Sequence, residues 1–307
     1  MLKLKGNLFA FLGTSIFALN FISMKVLVGL LPPKIIIVLR FALASLFLFA
    51  VFYFQNKDII VKDREVQLNL ILTGFLGMSL YYLFFTYSLQ YISPSLTSLL
   101  CSLIPLITLF FDSLFFKKKL EKITFAMFLL SIFGVYLVID VSLDFNSYLQ
   151  VIKGVLLMFC ALIAWISYTF KTEDLMNKYD SILMLAYQCL YGALITAFIS
   201  FDDLDALLNI FESPNLNLII LNIIFVSVFA SALAYLFYNL GIKYIGVTLS
   251  SVYMNTMPVI TVFAAYFLLD STLTVKKICG IFIVASAAMA TVFKDRLQKR
   301  LNNIVRS

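Results

Sequence analysis

Ten long apolar runs follow one another through these 307 residues, most of them separated by only a short connection. They fall at about 6–28, 33–55, 68–90, 93–116 and 123–141, then at about 152–170, 181–201, 216–240, 244–268 and 275–293. Each is near or above the ~18 residues needed to cross a hydrocarbon core of about 30 Å. Hydrophobic residues make up 63% of the chain and charged ones 13%, too little polar surface to clothe a water-soluble domain. The chain is therefore expected to be an all-α integral membrane protein with ten transmembrane helices.

The ten runs divide into two copies of one unit. Shifting the sequence by 153 positions lays 83–134 over 236–287 without a gap, and 11 of the 52 positions are identical. Tyr91/Tyr244, Ser98/Ser251, Pro105/Pro258 and Thr108/Thr261 are among them. The loops carry opposite charge. Lys57, Lys62 and Arg64 lie between the second and third runs, whereas the matching stretch holds Asp202, Asp203, Asp205 and Glu212 and no base. A unit with five spans must be inverted when it is repeated, so lysine and arginine should change sides between copies, as they do. This predicts two inverted five-helix repeats, 1–146 and 147–307, packed around a central cavity in the manner of secondary transporters. With the N-terminus inside, 17 of the 23 basic residues fall on the inner side, which places both termini in the cytoplasm. Lys3 and Lys5 before an apolar run imitate a signal peptide, but no convincing small-residue cleavage site follows, and the run is read as an uncleaved first span.

Several function classes are disfavoured at once. The net charge of +7 comes from short inter-helix loops and the tail, where it reads as a topology signal facing anionic lipid and not as a nucleic-acid surface. There is no histidine, and the four cysteines all lie within apolar runs with no CxxC pair, so no metal site, cofactor or disulfide framework is expected. A membrane-embedded enzyme would need clustered acids, histidines or a metal. The only acids inside any run are Asp112, near the inner end of span four, and Asp140, at the very end of span five; neither lies at the midplane, which speaks against a proton-driven exporter of lipophilic cations with a buried carboxylate.

The candidate site residues are those that membrane interiors tolerate poorly. Lys25 and Arg40 lie in the outer halves of spans one and two. Lys25 either snorkels to the headgroups or attracts an anionic substrate group. Arg40 either pairs with an acidic end such as Asp140 or a backbone carbonyl, or binds such a group itself; the structural role suits it better, because a guanidinium can tie several helix ends together. Ser95, Ser98, Ser102 and Pro105 recur as Thr248, Ser251, Asn255 and Pro258 at spacings that keep each set on one helix face. Each proline should free the carbonyl four residues earlier, on Cys101 and Met254. The serines fit helix packing, while Asn255 is larger and more polar than packing requires. Tyr81, Tyr82, Trp165, Tyr168, Tyr235, Tyr238 and Tyr253 are candidates for a cavity lining, because a buried hydroxyl or indole N–H wants a partner.

Across nearly its whole length the chain resembles the EamA-type branch of the drug/metabolite transporter superfamily. The resemblance rests on Asn20-Phe21-Ile22-Ser23-Met24-Lys25, Arg40-Phe41, the Pro105 and Pro258 pair, and Gly154 through Trp165 at the start of the second repeat. The family's glutamates after spans four and nine are here Lys117 and Asp270. The resemblance implies movement of small metabolites, often amino acids, through a cavity between the halves. The expectation is thus a secondary carrier that exports an amino acid or related compound by alternating access from a bacterial cytoplasmic membrane. Its expected substrate-binding residues are Asn20, Lys25, Tyr81, Ser102, Trp165, Tyr168, Tyr253 and Asn255, with Arg40, Pro105 and Pro258 structural. A multidrug efflux carrier for lipophilic compounds is the alternative. The oligomeric state is open; spans five and ten are the pair that could join protomers.

Overall fold

The computed structural model describes residues 2–55, 61–104, 106–108, 122–138, 145–176, 179–287 and 290. These residues form ten principal helices and no strands. The first five are α1 (Leu2–Val28), α2 (Pro33–Tyr53), α3 (Arg64–Tyr91), α4 (Pro94–Thr108) and α5 (Lys122–Val138). The second five are α6 (Phe145–Met176), α7 (Ser181–Phe198), α8 (Leu216–Ile245), α9 (247–268) and α10 (275–287). Among them, seven are long and apolar enough to cross a membrane, and α4 and part of α5 are shorter apolar helices. The acidic connection between α7 and α8 carries one small surface helix, Leu204–Leu208.

Local sequence sets the boundaries. Pro33 and Pro94 occupy the first helical turns of α2 and α4, where a missing N–H costs nothing. Asp63, Ser93 and Asp180 accept from backbone N–H groups at the starts of α3, α4 and α7. Gly246, at φ +80°, permits the sharp turn from α8 into α9.

The packing follows a two-fold pattern. α1 lies along α8 and α3 lies along α6, which are equivalent pairings, while α2 packs on α7 and α4 on α9 as self-equivalent ones. α5 and α10 meet each other within the chain: a Cβ on Gly134 would stand 2.9 Å from the Gly280 carbonyl, and one on Gly280 2.5 Å from that of Gly134. Such close backbone approach is how helices gain dispersion contacts in lipid, where apolar burial alone gives no preference. Outward-facing Leu46, Phe198 and Phe267 are exposed and form part of the apolar belt.

Both central helices are interrupted, and at matching places. α3 contains a π-helical stretch at Phe75–Leu80, and α8 one at Phe225–Leu233, the last six residues of which are related to the first by the same 153-residue shift. A π-turn widens the helix and displaces a carbonyl from its usual partner. In α8 the Ser231 hydroxyl donates to the displaced Val226 carbonyl at 2.7 Å. The second pair of interruptions lies in α4 and α9. α4 loosens into a turn at Ser102–Leu103, and α9 tightens into a 3₁₀ segment at Tyr253–Thr256, each immediately ahead of the repeat's proline position.

Candidate functional site: a cleft on the pseudo-two-fold axis

The interruptions in α4 and α9 flank a small cleft. Cys101 and Ile104 of α4 face it from one side, and Met254 and Met257 of α9 from the other. These are equivalent pairs, Cys101 with Met254 and Ile104 with Met257, so the cleft straddles the axis relating the repeats. Tyr82 also lines it, and its hydroxyl lies 3.4 Å from that of its equivalent, Tyr235. The remaining wall is Phe17, Asn20 and Phe21 of α1, Tyr81 of α3 and Trp165 of α6. About 300 Å³ of non-atom space lies among these side chains, open solvent included, and most of it is crevice narrower than a water molecule.

Its chemistry is aromatic and neutral. Trp165, the chain's one tryptophan, touches Phe17, Tyr81, Tyr168, Tyr235 and Tyr238 at ring separations of 5.1–5.9 Å. Two polar atoms in the wall lack a partner although buried, the Asn20 Oδ1 acceptor and the Trp165 Nε1–H donor. A buried polar atom left unpaired costs roughly 1–3 kcal/mol, so a matched pair of orphans in a cleft is what a ligand with one donor and one acceptor would relieve. None of the residues lining the cleft carries a charge.

The expected site residues divide three ways. Asn20, Tyr81 and Trp165 line the cleft. Ser102, Tyr168, Tyr253 and Asn255 do not, although all but the half-buried Tyr253 are fully buried close by. The Ser102 hydroxyl is spent on its own helix, at 2.6 Å from the Leu99 carbonyl, as helical serines commonly are. Tyr168 packs behind Trp165 and donates to Gln188 Oε1 at 3.3 Å, joining a polar cluster with Thr73 and Thr172. Asn255 sits in the 3₁₀ segment with both amide atoms unpaired.

Lys25 points elsewhere. Its Nζ donates to the carbonyls of Leu89 at 2.5 Å and Ile92 at 3.4 Å, at the C-terminal end of α3. That end carries the negative pole of the helix and its unpaired carbonyls, a natural seat for an ammonium group. Arg40 is fully buried between α1, α3 and α8: Nε donates to Ser231 Oγ at 2.6 Å and Nη1 to Met24 Sδ at 3.3 Å. Pro258 is buried in the first turn after the 3₁₀ segment. Pro105, Asp112, Lys117, Asp140 and the side chain of Thr248 fall outside the described residues.

One expectation fails. Pro258 was to leave the Met254 carbonyl free, yet the N–H of Met257 reaches it, because the tightening to 3₁₀ substitutes an i→i+3 bond for the lost i→i+4 one. The cleft also contains residues that residue type alone does not flag: Phe17, Phe21, Cys101, Ile104, Met254 and Met257. The 153-residue register points to four of these, since it singles out the helix face that both repeats turn toward the axis.

Comparison with known proteins agrees with this architecture. The EamA-like transporter family matches in two segments, residues 4–140 and 152–293. An uncharacterized transporter from Archaeoglobus fulgidus is 27% identical over 88% of this chain and 92% of its own. The uncharacterized transporter YyaM of Bacillus subtilis is 26% identical over 94% of each. A solved crystal structure at 19% identity superimposes with a TM-score of 0.66, covering 96% of this chain and 98% of its own, and shares the fold.

Proposed function

The chain belongs to the EamA-like transporter family, and from that premise we propose that it is a secondary carrier exporting an amino acid or closely related metabolite by alternating access. The observation that carries this reading is the axial cleft between two interrupted helices, walled by equivalent residues of both repeats. A carrier of inverted repeats opens to one side and then the other by rocking around such a fixed site. The Asn20 Oδ1 acceptor suits an ammonium group, and the rings of Phe17, Tyr81 and Trp165 suit an apolar or flat side chain. The outward direction follows the family resemblance. Basic loops and tails support a cytoplasmic-membrane protein with both termini inside.

The test is counterflow in proteoliposomes with a labelled amino-acid panel, comparing wild type with Trp165→Ala and Asn20→Ala. The expected outcome is exchange of one or a few amino acids, at least about tenfold weaker in both variants. The aromatic walls favour a second reading, efflux of lipophilic cations, since ring faces attract desolvated cations. Exchange of a lipophilic dye with no exchange of any amino acid would replace the first reading by the second.

A further inference from the structure

Arg40 is a buried cation for which no carboxylate partner stands among the described residues. Its side chain is 0% exposed, and the one ion pair found among those residues joins Lys34, in the first turn of α2, to Asp203. Two of its three nitrogens are held, by Ser231 and Met24, and Nη2 has no partner. The guanidinium carbon lies 4.0 Å from the centre of the Tyr82 ring and 5.1 Å from that of Phe41. Tyr82 is itself a wall of the cleft, and Met24 stands one helical turn from Asn20, so a single layer of side chains separates the charge from the substrate space.

The rest of the arrangement keeps that charge in place. Ser231 donates to the π-displaced Val226 carbonyl and accepts from Arg40 Nε, so the backbone distortion of α8 fixes the guanidinium plane. α7, which corresponds to α2 in the second repeat, contains no basic residue. Of these two helices only α2 therefore brings a positive charge toward the axis, and no carboxylate among the described residues answers it. An unpaired buried charge is among the most costly features a folded chain can hold, and it is normally matched by something.

We propose that Arg40 is the anion-recognition group of the transport site, pairing through Nη2 with the carboxylate of the substrate when Tyr82 swings aside. This rests on the reading of the cleft as the substrate site and extends it. The amino group meets Asn20, the side chain meets the aromatic wall, and the carboxylate meets Arg40. The guanidinium is then a binding residue as well as a tie between helices, and the selected substrates are those carrying a single carboxylate.

The test measures binding to full-length purified protein by isothermal titration. The ligands are phenylalanine and leucine, their carboxamides, which keep the ammonium and side chain, and acetate and chloride as small competing anions. Wild type is expected to prefer acid over amide by roughly 30-fold or more, since a desolvated charge pair is being made or lost. Arg40→Gln should bring that preference within about threefold, mostly by weakening the acid, and Arg40→Lys should retain part of it. Acetate should compete with the acid in wild type and chloride should not. If Arg40→Gln does not fold, Arg40→Lys and the acetate competition decide. Equal binding of acid and amide by wild type, or an undiminished preference in Arg40→Lys with no acetate competition, overturns the role of Arg40 while the cleft reading stands. Equal competition by chloride and acetate makes Arg40 a resident counter-ion site and also overturns the assignment. If neither acid nor amide binds and Trp165→Ala changes nothing, the cleft reading itself has failed.

Discussion

Asn255 offers a perturbation in which stability and function should move in opposite directions. Its side chain is 1% exposed, and neither amide atom has a hydrogen-bond partner. Leucine copies the branched skeleton of asparagine while replacing both polar atoms with methyl groups. Removing a buried, unsatisfied amide should return about 1–3 kcal/mol. Leucine is larger, and the 3₁₀ segment is tightly packed between Met254 and Met257, so overpacking takes back about 1 kcal/mol. The net expectation for Asn255→Leu is a protein more stable by ~1 kcal/mol, an upward shift of a few degrees, roughly 2–4 °C, in the melting temperature. Tryptophan-fluorescence melting in detergent reads this directly, because Trp165, the one tryptophan, is buried in the wall of the cleft that the neighbouring Met254 and Met257 also line. Counterflow of the best substrate should fall by about tenfold or more if the amide is held for the substrate or for the moving state. A melting temperature lowered by several degrees would refute the reasoning, since it would mean that the amide is satisfied and structural. Raised stability with unchanged transport would refute the functional half alone.

Two further predictions concern packing and the end of α3. A Cβ on Gly77 would collide with the Tyr168 ring, and the ring backs onto Trp165, so Gly77→Ala should cost about 1–3 kcal/mol and alter the Trp165 emission spectrum. Tyr168→Leu should restore most of the stability in the double variant. Lys25→Met should lower stability by about 1 kcal/mol through loss of the bonds to Leu89 and Ile92, read as a lower melting temperature. Its substrate KM should stay within about twofold of wild type, and a tenfold rise would instead return Lys25 to the binding site.

The course of the helices was legible because membrane solvation leaves little choice: apolar runs of sufficient length, separated by charged turns, become helices. The α4 and α9 interruptions were legible from Pro105 and Pro258. The π-stretches were not, since nothing in Phe75–Leu80 departs from an ordinary apolar helix and the widened turn is settled by neighbours on other helices. The same limit explains Lys25, whose partners at Leu89 and Ile92 are distant in sequence and come within reach only once α1 and α3 are side by side. Tyr253 and Met254 show the limit at finer scale. The two are adjacent, and one residue's rotation about the helix decides which of them reaches the cleft. Polarity singled out Asn20, Tyr81 and Trp165, which line the cleft, but it passed over the sulfur-bearing Cys101, Met254 and Met257, because such side chains read as packing until they meet an opening.

The meeting of the Tyr82 and Tyr235 hydroxyls across the axis has a thermodynamic meaning as well as a geometric one. Where a site is walled by the same positions from two inverted units, exchanging the roles of the units turns one facing state into the other. Contacts made by identical residues at equivalent positions, as Tyr82 and Tyr235 are, then contribute equally to both states, which differ in energy through residues the repeats do not share. Arg40 on its single side of the axis is such a residue. Under the alternating access proposed above, a resting preference for one face of the membrane is a difference set by such unshared side chains, and a bound substrate's differential affinity for the two states can shift it.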